Sequence, residues 1–202
     1  MEQLDLFDKN ESLRFPEKLL EFYPAFLDHK TCAILLRQLV EEVAWRQPVI
    51  QMYGKPVTTP RLTAWYGDAN QSYRFSGTRF DPVTWTAALH HLKKEIEVLT
   101  GLSFNSVLLN YYRDGNDSVA WHADNERELG AQPHIASLSI GQARDFEFRR
   151  KTDHSGKYKL RLHNGSLLIM KGDLQNHWEH RIPKSKNDNG ERINMTFRFI
   201  HN

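Results

Sequence analysis

Apolar residues recur with helical periodicity in two stretches of the first half of the chain and with strand periodicity through the second half. Cys32, Leu35, Leu36, Leu39, Val40 and Val43 form one stripe, with Asp28 placed to cap it, so an amphipathic helix is expected over roughly 28–45. A second helix is expected to take Asp81 as its cap and Pro82 in its first position, to bury Trp85, Leu89, Leu92, Ile96 and Leu99, and to stop at Gly101. Between the two, VIQMYGKP, RLTAWYGDAN and SYRFSG read as short strands and turns. From Asn105 onward the pattern becomes NSVLLNYY, SVAWHAD, HIASLSIG, RDFEFRR, KYKLRLH, SLLIMKG, NHWEHRI and RINMTFRFI, punctuated by Asp114-Gly115-Asn116, Asn164-Gly165, Gly172-Asp173 and Asn189-Gly190. Short strands at this spacing predict an antiparallel sandwich or jelly-roll barrel, an α+β chain whose two helices buttress one face. No repeat or long linker divides it. A single domain over 13–202 is expected after a tail of residues 1–12.

Composition narrows the chemistry. In 202 residues, 27 basic side chains face 25 acidic ones, which excludes a histone-like polycation but not a local basic patch. Cys32 is the one cysteine, so a disulfide framework, a Cys-rich zinc module and an iron–sulfur ligand set are excluded, and a reducing compartment is favoured. No apolar run is long enough to span a bilayer, and MEQLDLFDKN lacks the basic and apolar regions of a signal peptide, so a cytoplasmic protein without a membrane partner is expected. With cysteine nearly absent, the 10 histidines become the natural metal ligands.

His122 and Asp124 stand two apart in a predicted strand and therefore emerge on one face. A third ligand is available from His177 or His180. Two histidines and a carboxylate occupy one face of an octahedral ion and leave three positions open, the arrangement of non-haem Fe(II) oxygenases; zinc on the same ligands is the alternative. In ERINMTFRFI, Ile193, Met195, Phe197 and Phe199 form an apolar face, and Arg192, Asn194, Thr196 and Arg198 a polar one. Such a strand either turns its polar face to water or closes a barrel and offers that face to a ligand. Arginines flanking an amide and a hydroxyl suit a dicarboxylate, which Arg198 is able to clasp through two parallel hydrogen bonds. Asn110 and Tyr112 add a similar face in an otherwise apolar strand.

Taken in order, NYYRDGNDSVAWHADNERELG, IASLSIG, RDFEFR, NGSLLIMKG, HWEHRIPK and RINMTFR resemble the core of the AlkB family, the Fe(II)- and 2-oxoglutarate-dependent dioxygenases that demethylate nucleic-acid bases. The similarity covers about 50 to 200. It implies a double-stranded β-helix, a jelly-roll variant, with an N-terminal nucleotide-recognition lid at about 50–80. It further implies that His122, Asp124 and His180 hold iron, and that Asn110, Tyr112, Arg192, Asn194, Thr196 and Arg198 hold 2-oxoglutarate, its far carboxylate on Arg198. With dioxygen as the other co-substrate, 2-oxoglutarate is decarboxylated to succinate while an N-methyl group is hydroxylated and leaves as formaldehyde.

The resemblance also implies how a base is handled. A paired base must leave its stack to be reached. Tyr73, Arg74 and Phe75 match the base-pocket strand, with Phe75 stacking on the flipped base. Met52, Tyr53, Gly54 and Lys55 sit where duplex-acting members carry a wedge hairpin, with Lys55 or Arg61 on phosphate. Arg149-Arg150-Lys151 and Lys184-Ser185-Lys186 are further phosphate candidates. Asn125 stands where an acidic residue often faces the base edge, with Glu126 next to it as a substitute. The expected substrate is alkylated DNA, single- or double-stranded, carrying 1-methyladenine or 3-methylcytosine; RNA demethylation, or a nucleic-acid-binding module without catalysis, is the alternative. Gln3, Leu4, Asp5, Leu6 and Phe7 look like a sliding-clamp-binding peptide, and a monomer is expected.

Overall fold

The computed structural model describes residues 19–52, 55–69, 73–75, 78–80, 82–154 and 156–201, with the backbone alone at 50–52, 73–75 and 78–80. In chain order the elements are β1 (Leu20–Tyr23), α1 (His29–Glu42), β2 (Val49–Met52), β3 (Lys55–Thr58), β4 (Leu62–Gly67), β5 (Tyr73–Phe75), β6 (Thr78–Phe80), β7 (Val83–Thr84), α2 (Ala87–Thr100), β8 (Ser106–Tyr112) and β9 (Val119–His122). They continue with β10 (Ile135–Gly141), β11 (Arg144–Arg150), β12 (Lys157–Leu162), β13 (Ser166–Met170), the one-turn α3 (Leu174–His177), β14 (Trp178–Ile182) and β15 (Arg192–Arg198).

These strands form a seven-stranded sheet, β1-β13-β10-β15-β8-β4-β7, and a four-stranded sheet, β12-β11-β14-β9. Two hairpins, β2–β3 and β5–β6, are two-stranded sheets of their own. Each of the eight strands expected beyond Asn105 is present, and the expected jelly roll with its buttressing helices is the observed fold.

Alternation assigns every large-sheet strand two faces with different neighbours. Val107, Leu109 and Tyr111 of β8, Leu138 of β10 and Ile193, Met195 and Phe197 of β15 point outward into one core, where they meet Cys32, Leu35 and Leu39 of α1 and Leu89, Leu92 and Ile96 of α2. Each such Leu or Ile buried contributes about 1.5–3 kcal/mol. The opposite faces look into the barrel, where Tyr112, Phe146, Phe148, Leu160, Leu168 and Trp178 form a second core at the inner end. The polar face of β15 is therefore turned into the barrel: Arg192 through Arg198 are all buried.

Helix α1 starts as its sequence predicts, with the Asp28 carboxylate accepting from the Thr31 N–H at 2.8 Å. Helix α2 starts later than expected. Its cap is Thr86, whose hydroxyl accepts from the Leu89 N–H at 3.2 Å, because Val83–Thr84 is held extended by parallel pairing with Tyr66–Gly67 of β4. Asp81, the expected cap, lies outside the described residues. Phe199 also departs from expectation: the strand ends at Arg198, and Phe199 is exposed beside His201 rather than part of the apolar face.

Candidate functional site

Strand pairing brings the metal-ligating side chains together. In the small sheet His180 of β14 pairs directly with His122 at the end of β9, which sets their rings 4.3 Å apart. Asp124 follows in the loop just past β9, not within the strand, and still converges: ligand atoms of His122, Asp124 and His180 all lie within 4.8 Å of one another. Of the two candidates for the third position, His180 is in the cluster, whereas His177 is exposed on α3 beside Asp173.

Each donor is prepared for a cation. His122 Nδ1 lies 2.9 Å from the Ala120 carbonyl, which only accepts, so Nδ1 is the donor there and Nε2 is the ring nitrogen turned toward Asp124. The His180 pKa is pushed down to about 3, first by burial and then by His122 and Arg198, against the opposing pull of Asp124; its ring is neutral at physiological pH. Burial pushes the Asp124 carboxyl up, but the Arg198 guanidinium, with His122 and His180 behind it, outweighs burial and keeps the group ionised, with a pKa of about 2. Two imidazoles and one carboxylate form a nitrogen–oxygen set open on one side, so the residues fit a divalent iron.

The polar rail leads away from this cluster along β15 and its neighbours. Arg198 Nη2 donates to Asp124 Oδ2 at 2.8 Å, which puts Arg198 at the metal end. Asn194 donates to Ser137 Oγ at 2.8 Å and to the Leu138 carbonyl at 3.1 Å, and it accepts from Thr196. At the far end Arg192 is 1% exposed, donates to Ser139 Oγ at 3.0 Å, and lies 4.9 Å from the Tyr112 ring. Its Nε and Nη1 are buried without a hydrogen-bond partner, and Tyr112 and Arg144, not a carboxylate, are its ionisable neighbours among the described residues. A buried guanidinium without a counter-charge is costly, so this end of the rail is chemically suited to an anionic group. Arg192 and Arg198 stand at opposite ends of β15 and address different ends of the rail.

A cavity of about 660 Å³ opens over the cluster, lined by His122, Asp124, His180, Asn110, Tyr112 and Arg198 among others. Two more residues line it that the sequence placed elsewhere or second. Arg61, expected on a phosphate, is buried instead, with Nε donating to Asn110 Oδ1 at 2.7 Å. Glu126 reaches the cavity with a buried, unpartnered Oε2, whereas Asn125 is exposed and absent from the lining. The residue two beyond Asp124 is thus the one that faces the cavity.

The remaining expectations divide. Lys55 is exposed on β3; Tyr53 and Gly54 lie outside the described residues. Tyr73, Arg74 and Phe75 form β5, paired with β6, with their side chains undescribed. Gln3 to Phe7 are outside the described residues as well. Arg149 is paired with Glu179 and lies 4.2 Å from the Trp121 ring, and Lys151 donates to the Gln175 carbonyl, so two of that basic trio are committed within the protein. Among the described residues no helix is long and apolar enough to cross a membrane.

A jelly roll with a His-x-Asp and a distant His converging beside a buried arginine is the build of a 2-oxoglutarate- and Fe(II)-dependent oxygenase, and the model of the 2OG-Fe(II) oxygenase superfamily matches residues 20–198. The chain is 42% identical over 188 residues to the alpha-ketoglutarate-dependent dioxygenase alkB homolog 3 of Rattus norvegicus, covering 89% of this chain and 63% of that protein. It is 40% identical over 173 residues to the DNA oxidative demethylase ALKBH2 of Mus musculus, covering 82% of this chain and 72% of that protein. Within the superfamily, the chain belongs to the AlkB family. It spans 63–65% of the length of the alkB homolog 3 proteins of rat, mouse, human and cattle. The solved structure of OsALKBH1 shares the fold, with a TM-score of 0.66 at 16% identity, over 89% of this chain and 97% of that one.

Proposed function

We propose that this protein is an oxidative demethylase of N-alkylated bases in DNA, acting in direct-reversal repair. The observation that carries the reading is the uncompensated Arg192 guanidinium at one end of a buried polar rail whose other end is His122, Asp124 and His180. In this reading those three side chains hold Fe(II). Bound iron with 2-oxoglutarate and dioxygen supplies the oxidation, yielding succinate and carbon dioxide and hydroxylating the N-methyl carbon, after which the hemiaminal releases formaldehyde.

The chain's own residues bind, orient and exclude water. Arg192, with Tyr112 and Ser139 beside it, takes the far carboxylate of 2-oxoglutarate; this replaces the expectation that Arg198 does so, since Arg198 is already held by Asp124. Arg198 instead serves the metal end, where it keeps Asp124 ionised. Arg61 fixes the Asn110 amide by engaging its oxygen, which turns the amide NH2 toward the co-substrate. Asn194 and Thr196 are satisfied by the protein and by each other, and act as a fixed polar wall. Glu126, rather than Asn125, meets the edge of the flipped base, where a carboxylate accepts from an exocyclic amino group. Tyr73 and Phe75 are assigned to stacking on the base, Tyr53 and Gly54 to the nucleic acid beside it, and Lys55 to backbone phosphate. The relative from mouse that is named a DNA oxidative demethylase supports DNA over RNA.

The same reading places the protein in the cytoplasm as a monomer, a setting suited to its buried lone thiol, Cys32. Gln3 to Phe7 dock on a sliding clamp, an idea that a clamp pull-down unaffected by Leu6→Ala with Phe7→Ala would remove. The central experiment measures formaldehyde and succinate release with iron and 2-oxoglutarate, offering methylated single-stranded DNA, duplex DNA and RNA in parallel. Turnover is expected on DNA. Turnover on RNA alone would move the substrate class, and no turnover on any of the three would sink the reading.

A further inference from the structure

Asp124 stands outside any strand ladder, yet it is buried, and a buried backbone N–H requires an acceptor. That acceptor is Gln175 Oε1, 3.0 Å away. Gln175 is 1% exposed and sits on α3, the single turn that feeds directly into β14 and so into His180. Its other amide atom, Nε2, lies 3.5 Å from Met170 Sδ. Sulfur only accepts here, so this contact fixes the amide with its oxygen toward Asp124. The turn is pinned in its own place by Lys151, whose Nζ donates to the Gln175 carbonyl at 2.6 Å and whose backbone N–H donates to the His177 carbonyl at 3.0 Å.

The geometry points to Gln175 as a positioning residue for the metal ligand Asp124, with Lys151 holding Gln175 from behind. The inference rests on the reading of His122, Asp124 and His180 as a metal centre. Its physical basis is a contest over one carboxylate. Arg198 pulls Asp124 Oδ2 from one side, and nothing in the strand ladders opposes that pull, because β9 has already ended at His122. The hydrogen bond from the Asp124 N–H to Gln175 fixes the backbone from which the carboxylate departs. The aspartate is thereby kept facing both histidines instead of following the guanidinium. The same turn connects the strut to β14, so the partner that orients Asp124 is built on the segment that carries His180. Contacts of this outer kind typically change metal affinity about 10- to 100-fold.

The test titrates metal-free, full-length protein with Mn(II), reading free ion by electron paramagnetic resonance, and follows hydrogen exchange at the Asp124 amide by NMR. Gln175→Met keeps the volume and removes the acceptor. It is expected to weaken Mn(II) binding about tenfold and to speed exchange at that amide. Gln175→Glu, whose fully buried carboxyl is held as the neutral acid, retains an acceptor for the Asp124 amide and a donor for Met170 Sδ, and is expected to recover most of both losses. Lys151→Met, at a half-buried side chain, is expected to give a smaller loss of the same kind. The inference is overturned if Gln175→Met binds Mn(II) like the wild type, or if Gln175→Glu binds as weakly as Gln175→Met. If Gln175→Met does not fold, Lys151→Met decides by the same two measurements, an unchanged Mn(II) affinity counting against the strut. A wild-type protein that binds no Mn(II) would overturn the metal-centre reading itself, an outcome distinct from a variant-specific loss.

Discussion

The polar face of β15 and the hairpins β2–β3 and β5–β6 are all built from strands, but they are held in opposite ways. Strand β15 is paired on both sides, with β10 and β8, and is buried along its whole length. Each hairpin is a separate two-stranded sheet, and β3 is exposed at every residue. Two-stranded ribbons gain little stability of their own, whereas a strand in the middle of a seven-stranded sheet cannot shift register without turning arginines into an apolar core. The groups proposed to hold metal and co-substrate thus belong to the framework. Most of those proposed to meet the nucleic acid are mounted on it, Glu126 beside Asp124 being the exception.

The strongest way to break this contrast is to remove the framework's carboxylate. Asp124→Ala should cut formaldehyde release by more than about 100-fold, the upper effect of an outer contact on a metal site, while gel-shift binding of methylated DNA persists. Next in size, Arg192→Gln should raise the KM for 2-oxoglutarate about 10- to 100-fold, as expected for loss of a charge-assisted hydrogen bond, and leave the KM for DNA nearly unchanged. A change confined to the DNA term would reverse the roles assigned to rail and lid. Glu126→Gln should alter the ratio of turnover on 1-methyladenine and 3-methylcytosine by about tenfold, one such bond, measured on paired oligonucleotides. On the hairpin, Lys55→Ala should weaken DNA binding modestly and lower the salt slope by about 0.9, one phosphate contact.

The smallest effect belongs to the framework alone. The Tyr111 hydroxyl is pushed up to about 12, by burial first and then by its hydrogen bond to Glu191. A raised folded-state pKa gives stability that is complete below about 10, the value in an unfolded chain, and is lost as pH rises from there through 12. Thermal melting of Tyr111→Phe should therefore fall less steeply over that window than the wild type, with activity at neutral pH unaltered.

Much of the framework was legible in the chain. The alternation in RINMTFR gave both faces of β15 correctly, because a period of two survives whatever the strand pairs with. Asp28 was readable as a cap since its partner, Thr31, is local. What escaped reading depends on distant partners. The start of α2 moved because β4 captures Val83–Thr84, and Arg61 turned inward to an asparagine far along the chain. Alternation put Arg192 and Arg198 on one face without saying which end meets the metal; that is decided by Asp124, on another sheet. Gln175 carried no signal at all, since its role exists only where α3 meets the loop after β9.

The pairing of His122 with His180 has a kinetic corollary. These strands are neighbours in the small sheet, yet β10 to β13 intervene in the sequence and take their places elsewhere in the two sheets. Closing so long a loop is rewarded only after the intervening strands have found their own partners. The ion therefore has no complete site to grip early in folding and cannot serve as a nucleus. Refolding should therefore proceed at nearly the same rate with and without added Fe(II).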